Sequence, residues 1–324
     1  MPKGDAVIVT GGAGYIGSHV CKALALEGYC PITYDNLTSG HRSSVRWGPL
    51  IQGSIHDIEH LSVVCKTYDP IAVFHLASYI NVRESLIDPV KYYHNNTQGT
   101  LCVLQAMIES GVKKLIFSST GSIFGHSVSE LIDEKHPCAP LHPYGKSKLM
   151  AEMIIEDFAR LHSMHTVCLR YFNACGADSS AEIGEAHLPE THLIPLVIQT
   201  ALGKRDILEI YGGSYPTPDG TAIRDYIHVS DLTDAHIKAL DWLKTSRASM
   251  SFNIGTGSGY SVLQIIETVE SLTQKKIPKI IKEAAADSPV LIASAALANE
   301  ILKWHPKHST LSNIIETAWL WHTK

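Results

Sequence analysis

The stretch AVIVTGGAGYIGSHV, Ala6 to Val20, leaves the chain few ways to fold. Its opening run, Ala6 to Thr10, is almost wholly apolar and rich in β-branched residues, the pattern of a strand covered on both faces. Gly11, Gly14 and Gly17 follow at GxxGxxG spacing, and a helical pattern runs from Tyr15 to Gly28. A strand that turns through glycines into a helix gathers the helix's unpaired N–H groups at one point, which suits a phosphate. The glycines permit the tight turn, the approach of a pyrophosphate and close packing of helix on strand. A second run, Pro31 to Tyr34, ends at Asp35, roughly 20 residues past the glycines, as dinucleotide binding requires. A carboxylate there accepts hydrogen bonds from the adenosine ribose and repels a 2′-phosphate. Even with Arg42 nearby, the reading is NAD rather than NADP.

Further apolar runs of strand length stand at Ile71–Ala77, Lys114–Ser119 and His165–Phe172, with helical patterns between them. Continuous apolar strands alternating with helices predict an α/β fold, a doubly wound parallel sheet of Rossmann type. After Asn173 the alternation breaks down into polar loops and mixed short elements. We therefore read residues 1–173 as the cofactor domain and 174–324 as mainly a smaller α/β substrate domain, with some segments returning to the first.

Of 324 residues, 45% are hydrophobic and 18% charged, enough to bury a large core. The net charge of −5 and the lack of a basic block argue against nucleic acid as a partner. No apolar run reaches the roughly 20 residues that span a bilayer, and the N-terminus has no signal-peptide pattern. Seven scattered cysteines, with no CxxC, read as reduced thiols of a cytoplasmic protein. His187 with His192, and His305 with His308, are the near pairs among 18 histidines. Read linearly they lack carboxylate or cysteine companions at ligand spacing, so no metal is expected.

The stretch LHPYGKSKLMAEMII poses a sharper question. Pro143 suits the first turn of a helix, and Tyr144 and Lys148, at i and i+4, then share a face. Free tyrosine, with a pKa of about 10, is a poor base near neutrality. A neighbouring ammonium and a nicotinamide cation would both favour the phenolate. Tyr144 would then serve as general acid and base on a substrate hydroxyl. A lone YxxxK is common by chance. Its place after a glycine cradle and after the strand ending FSST gives it weight.

With TGGAGYIGSH, YDNLTSGHRSS, FHLAS, YYHNNTQGT, LIFSSTGSIFG, PYGKSK, LRYFNACGA and DGTAIRDYIHVSDL in this order, the chain resembles the extended, nucleotide-sugar-acting branch of the short-chain dehydrogenase/reductase superfamily over nearly its whole length. Within that branch it is most similar to the 4-epimerases of UDP-hexoses. The resemblance implies an isomerase that uses NAD without net redox. It implies Thr120, Tyr144 and Lys148 as the catalytic trio. For the cofactor it implies the turn residues Gly11, Gly14, Tyr15, Ile16 and Gly17. Asp35, Asn36, Leu37, Thr38, Ser39 and Gly40 would follow along the next loop, then Ser54 and Ile55, Leu76 and Ala77. Asn96, Ser118 and Tyr171 complete the cofactor set with Tyr144 and Lys148. For the UDP-hexose it implies Thr120, Ser122, Tyr144, Phe172, Asn173, Leu193, Tyr211, Arg224, Asp287 and Leu291. Tyr211 would stack on uracil, and Arg224 would clamp the diphosphate.

Related dehydratases and decarboxylases carry acidic residues after the threonine. Gly121 and Ser122 stand here instead, which favours epimerisation. The chain also departs from its relatives. Ile80 replaces a lysine, Ser54 replaces an aspartate, and Ala284 replaces an arginine that would meet the diphosphate. Bulky Leu291, where the sugar's 2-substituent is bounded, suggests UDP-glucose and UDP-galactose rather than N-acetylated forms. Epimerisation of a UDP-N-acetylhexosamine or UDP-pentose, and a non-catalytic NAD-binding regulator, are the other readings. Surplus apolar residues in the helices carrying TLCVLQAMIE (Thr100–Glu109) and KSKLMAEMIIEDFARLH (Lys146–His162) point to a homodimer.

Overall fold

The computed structural model describes residues 5–283 and 288–324. Its first half runs β1 (Ala6–Thr10), α1 (Tyr15–Leu26), β2 (Cys30–Asp35), β3 (Leu50–Gln52), α2 (Ile58–Tyr68), β4 (Ala72–His75), α3 (Val82–Ile87), α4 (Pro89–Tyr92), α5 (Gly99–Ser110), β5 (Lys114–Thr120), α6 (Pro143–His162) and β6 (His165–Tyr171). The second half runs β7 (Asn173–Cys175), α7 (Leu193–Ala201), β8 (Leu208–Tyr211), β9 (Ile223–Arg224), β10 (Tyr226–His228), α8 (Val229–Thr245), β11 (Met250–Ile254), β12 (Tyr260–Ser261), α9 (Val262–Thr273), β13 (Lys279–Lys282), β14 (Val290–Leu291), α10 (Ala296–Ile301) and α11 (Leu311–Thr323).

Seven parallel strands form the main sheet in the order β11-β6-β5-β4-β1-β2-β3. Alternate residues of each strand feed opposite faces, as the two-residue strand period requires. Val7 and Val9 face a core shared with Val20 and Leu24 of α1 and Leu240 and Leu243 of α8. Ile8 faces the other core, with Leu61 of α2, Leu104 of α5 and Ile155 of α6. Burial on both faces explains why these strands read as unbroken apolar runs. The segment 229–254 supplies α8 and β11 to this sheet after the chain has already left it.

A smaller lobe surrounds a core of Val197, Ile210, Ile266 and Ile315 from α7, β8, α9 and α11. Ends are set by local chemistry. The Ser261 hydroxyl accepts from Gln264 N (3.1 Å) while the Gln264 amide oxygen accepts from Ser261 N (2.8 Å), a reciprocal cap that starts α9. Gly111, at φ +83°, closes α5 in the left-handed conformation. No helix among the described residues is long and apolar enough to cross a membrane.

Candidate active site

Strand order reverses between β1 and β4, and ligands of doubly wound sheets bind beyond the carboxyl ends of strands at such a point. There a pocket of about 1000 Å³ runs between the main sheet and the smaller lobe. At one end is the glycine turn. Gly11 has φ +75°, and a Cβ on it would lie 2.7 Å from Ala77 N. A Cβ on Gly17 would lie 2.1 Å from Gly11 O, so only glycine lets α1 start this close to β1. α1 opens at Gly14 with no side-chain cap, and Gly14, Ile16 and Gly17 line the pocket. The Asp35 carboxylate is fixed at the end of β2. Its oxygens accept from Ala13 N (3.0 Å) and Leu37 N (2.8 Å). Burial pushes its pKa up, and these N–H donors oppose the rise. The cradle and the oriented carboxylate fit a dinucleotide.

Most of the residues assigned to the cofactor line this pocket: Tyr15, Asn36, Thr38, Ser39, Gly40, Ile55, Leu76, Ala77, Ser118 and Tyr171 join those above. Leu37, Ser54 and Asn96 do not. Ser54 Oγ accepts from His56 N (3.3 Å). Asn96 is buried in a π-helical turn between α4 and α5. It accepts from Tyr79 N (2.9 Å) and donates to Tyr79 O (3.0 Å) and Ser147 Oγ (3.1 Å). Its side chain thus ties the loop after β4 to α6 and positions the pocket wall. Ile80 lies on that loop and lines the pocket.

The tyrosine and lysine sit on the first turns of α6, both buried. Pro143 occupies the first turn, and the His142 ring accepts from Gly145 N (3.2 Å) as the cap. The His142 and Tyr144 rings stack, with centroids 5.9 Å apart and planes at 6°. Thr120 ends β5. Its hydroxyl accepts from Ser122 N (3.1 Å), and both it and the Tyr144 phenol line the pocket. Burial pushes the Tyr144 pKa up, and the neighbouring Thr120 hydroxyl opposes the rise. The Lys148 amine is brought down to about 7 by burial, against the opposing charge of Glu152. Lys148 Nζ donates to Ser78 Oγ (2.7 Å) and lies 4.4 Å from the centre of the Phe117 ring. Glu152, one turn further along α6, accepts from Arg170 in a buried bidentate pair with a shortest contact of 2.6 Å.

On the substrate side, Ser122, Phe172, Asn173, Leu193, Arg224 and Leu291 line the pocket. Phe172 lies over Gly121, where a Cβ would fall 2.8 Å from the ring. Leu291 is buried with Ile123, Phe124 and Ile132, against Phe172. Arg224 donates to the carbonyls of Ile223 (2.9 Å) and Pro289 (3.3 Å). The acids beside it in sequence bond elsewhere: Asp225 accepts from Thr256, Gly257 and Ala293, and Asp231 from Lys307, His308 and Ser309. Tyr211 stands outside the pocket lining, half-exposed, its phenol donating to Glu209 (2.6 Å). Ala284 and Asp287 lie outside the described residues.

The histidine reading needs correction. In GEAHLPETH the fold brings Glu185, His187, Glu190 and His192 together, with one potential ligand atom from each within 4.8 Å of the others. His192 Nδ1 lies 2.7 Å from Glu185 and 3.0 Å from Glu190, and His187 Nδ1 lies 3.1 Å from Glu185. Burial alone would raise Glu185, but His192 and His187 hold it at about 2. Burial alone would lower His192, but Glu185 and Glu190 raise it to about 10. Glu185, His187 and His192 all line the pocket, so a buried ion-pair network forms part of its wall. The alternating Glu-x-His and Glu-x-His was its visible signal in the sequence.

A doubly wound sheet with this cradle, and a buried threonine, tyrosine and lysine beyond the fifth strand, defines a dinucleotide-dependent enzyme of the short-chain dehydrogenase/reductase type. The chain belongs to the NAD dependent epimerase/dehydratase family, whose model matches residues 7–255. It is 44% identical to the UDP-glucose 4-epimerase of Rhizobium leguminosarum bv. trifolii, covering 99% of this chain and 98% of that one. It is similar to the crystal structure of UDP-glucose 4-epimerase from Brucella ovis in complex with NAD, at 45% identity and TM-score 0.95, with 98% of each chain covered. The Bifidobacterium longum UDP-glucose 4-epimerase in complex with NAD+ and UDP is 34% identical, with TM-score 0.94 and 98% of each chain covered.

Proposed function

We propose that this chain interconverts UDP-glucose and UDP-galactose by inverting C4 of the sugar, with NAD as resident cofactor and no net redox. The observation that carries the reading is the convergence on one pocket of buried Thr120, at the end of β5, and buried Tyr144, on the first turn of α6, with Gly121 and Ser122 rather than an acid after the threonine. NAD, when bound, supplies a hydride acceptor and donor at C4. The glycine cradle would hold its pyrophosphate and Asp35 its adenosine ribose.

The chain's own groups manage the proton. Tyr144, as phenolate, takes it from the 4-hydroxyl, and Thr120 shares it. Lys148, kept beside Ser78, holds the cofactor end of the site. The resulting 4-keto sugar turns over within the pocket, and Tyr144 returns the proton. Arg224 and Leu193 would grip the UDP portion while the sugar moves. Binding energy from the nonreacting nucleotide thus retains the intermediate.

We place the activity in the cytoplasm, in keeping with seven free cysteines, six of them buried. A homodimer through α6 is supported by its exposed apolar residues: Met150 is 44% exposed, Met153 60% and Leu161 71%. The apolar residues of α5 mostly serve the core instead. Incubation of the purified protein with UDP-galactose, without added cofactor, tests the function. UDP-glucose should appear; its absence would end the proposal.

A further inference from the structure

Between Gly184, which bridges to Ala177, and the start of α7 stand Glu185, His187, Glu190 and His192. Their contacts converge on one point rather than forming separate pairs. His192 Nδ1 lies 2.7 Å from Glu185 Oε1 and 3.0 Å from Glu190 Oε1, and His187 Nδ1 lies 3.1 Å from the same Glu185 oxygen. A single Nδ1–H aligns with one acceptor at a time, so it does not serve both carboxylates equally. Both carboxylate side chains are only 5% exposed. Like charges buried this close call for a shared positive charge, and buried charges are paired or coordinate metals. The backbone that carries them is held from three sides. Trp321 Nε1 of α11 donates to Glu185 O (2.9 Å), and the His41 ring donates to Ala186 O (2.7 Å). Tyr15 of α1 meets the His187 ring edge-on, with centroids 6.3 Å apart. Glu190 Oε1 also accepts from Thr191 N (2.7 Å) and His192 N (2.8 Å), which fixes its direction.

We propose that these four residues form a structural site for one divalent transition-metal ion, with Zn²⁺ the best fit, in place of the metal-free reading that their linear spacing gave. Two imidazole nitrogens and two carboxylate oxygens match the donor types and number of a closed tetrahedral zinc site. Metal–ligand bonds of about 2.0–2.2 Å set tetrahedral ligand atoms about 3.4 Å apart. That separation falls inside the 2.7–4.0 Å span of the contacts in this cluster. The two carboxylates balance the charge of the ion. Nitrogen donors disfavour Mg²⁺ and Ca²⁺, which take oxygen. The ion replaces the histidine protons, and the metal-free protein keeps the ion pairs described above. With four protein ligands the ion holds no substrate. It fastens the chain entering α7, and with it Leu193 at the pocket wall, to a segment braced by α1 and α11.

The test uses tag-free, NAD-loaded protein freed of metal with a chelator and dialysed. By calorimetry Zn²⁺ should bind at one ion per chain, and it should raise the thermal midpoint; Mg²⁺ at the same concentration should do neither. Co²⁺ should bind at the same stoichiometry and develop the visible absorption of a tetrahedral ion. His187→Gln should weaken Zn²⁺ by more than the about 10- to 100-fold that loss of an outer-shell partner causes. Glu190→Gln keeps an oxygen able to accept from Thr191 N and His192 N, and should weaken Zn²⁺ as strongly. His305→Gln/His308→Gln, at the other near pair, should bind Zn²⁺ as the wild type does. An unchanged far-ultraviolet circular dichroism spectrum checks that each variant is folded. A wild type that binds no Zn²⁺ would overturn the proposal and leave an ion-pair network only. Undiminished affinity in folded His187→Gln or Glu190→Gln would overturn it as well.

Discussion

Lys148 Nζ donates to Ser78 Oγ at 2.7 Å, joining the catalytic helix to the loop that follows β4. The amine is almost fully buried, and burial lowers its pKa to about 7. A lysine so depressed charges the folded state a penalty whenever it is protonated. That penalty is complete below about pH 7 and fades as pH rises toward the unfolded value of about 10.4.

Lys148→Met removes the penalty along with the amine. At matched cofactor content, its thermal midpoint should exceed the wild type's by most near pH 6, with the gap closing toward about pH 10. Its activity should fall sharply. A gap independent of pH would show that Lys148 is not a strained cation.

Tyr144→Phe keeps the ring that stacks on His142 and deletes only the phenol hydroxyl. The fold and NAD content should survive, while kcat drops about 10²- to 10⁴-fold, the usual worth of a positioned proton donor and acceptor. Steady-state kinetics with UDP-galactose decide it. Unchanged kcat would remove Tyr144 from the proton path.

The sequence made the frame legible because its strands are buried on both faces. No charged residue interrupts Ala6–Thr10 or Leu115–Thr120, and glycines punctuate α1 and α5. The phosphate cradle and the Tyr144–Lys148 pair were legible for a related reason, since short fixed spacings encode them. Contacts between distant segments were not. Arg83 meets Tyr211 only after the smaller lobe has folded back over α3. Asn96 stands in a readable motif, but its hydrogen bonds to Tyr79 and Ser147, which join segments far apart in the chain, do not show in the spacing. The ionisation of Lys148 depends on packing density, which no spacing records.

The Glu185–His192 pair adds a second pH dependence, of opposite sign on the alkaline side. Glu185, held at about 2, contributes stability above its unfolded value of about 4.3, lost as pH falls through about 2. His192, raised to about 10, contributes fully below its unfolded value of about 6.5, and the contribution is lost as pH rises through about 10. The denaturant midpoint of His192→Asn should therefore trail the wild type's by most near about pH 5.5 and approach it near about pH 10. A constant difference would contradict the pair's assigned charges.

Leu291 is buried against Phe172 at the pocket wall. Leu291→Ala opens space there, at a stability cost of about 2–5 kcal/mol. The kcat/KM ratio for UDP-N-acetylgalactosamine over UDP-galactose should rise about tenfold or more, the discrimination that a few methylenes provide. If the ratio stays flat while the protein remains folded, Leu291 does not bound the sugar's 2-substituent.

Epimerisation through a 4-keto sugar is a reversible oxidation at C4. Its most direct test is to convert UDP-galactose carrying deuterium at C4 and examine the UDP-glucose by NMR. A hydride that leaves C4 and returns to the same carbon keeps the label, so the product should retain deuterium at C4. Deuterium replaced by solvent hydrogen would mean that C4 loses a proton instead, and would contradict the account.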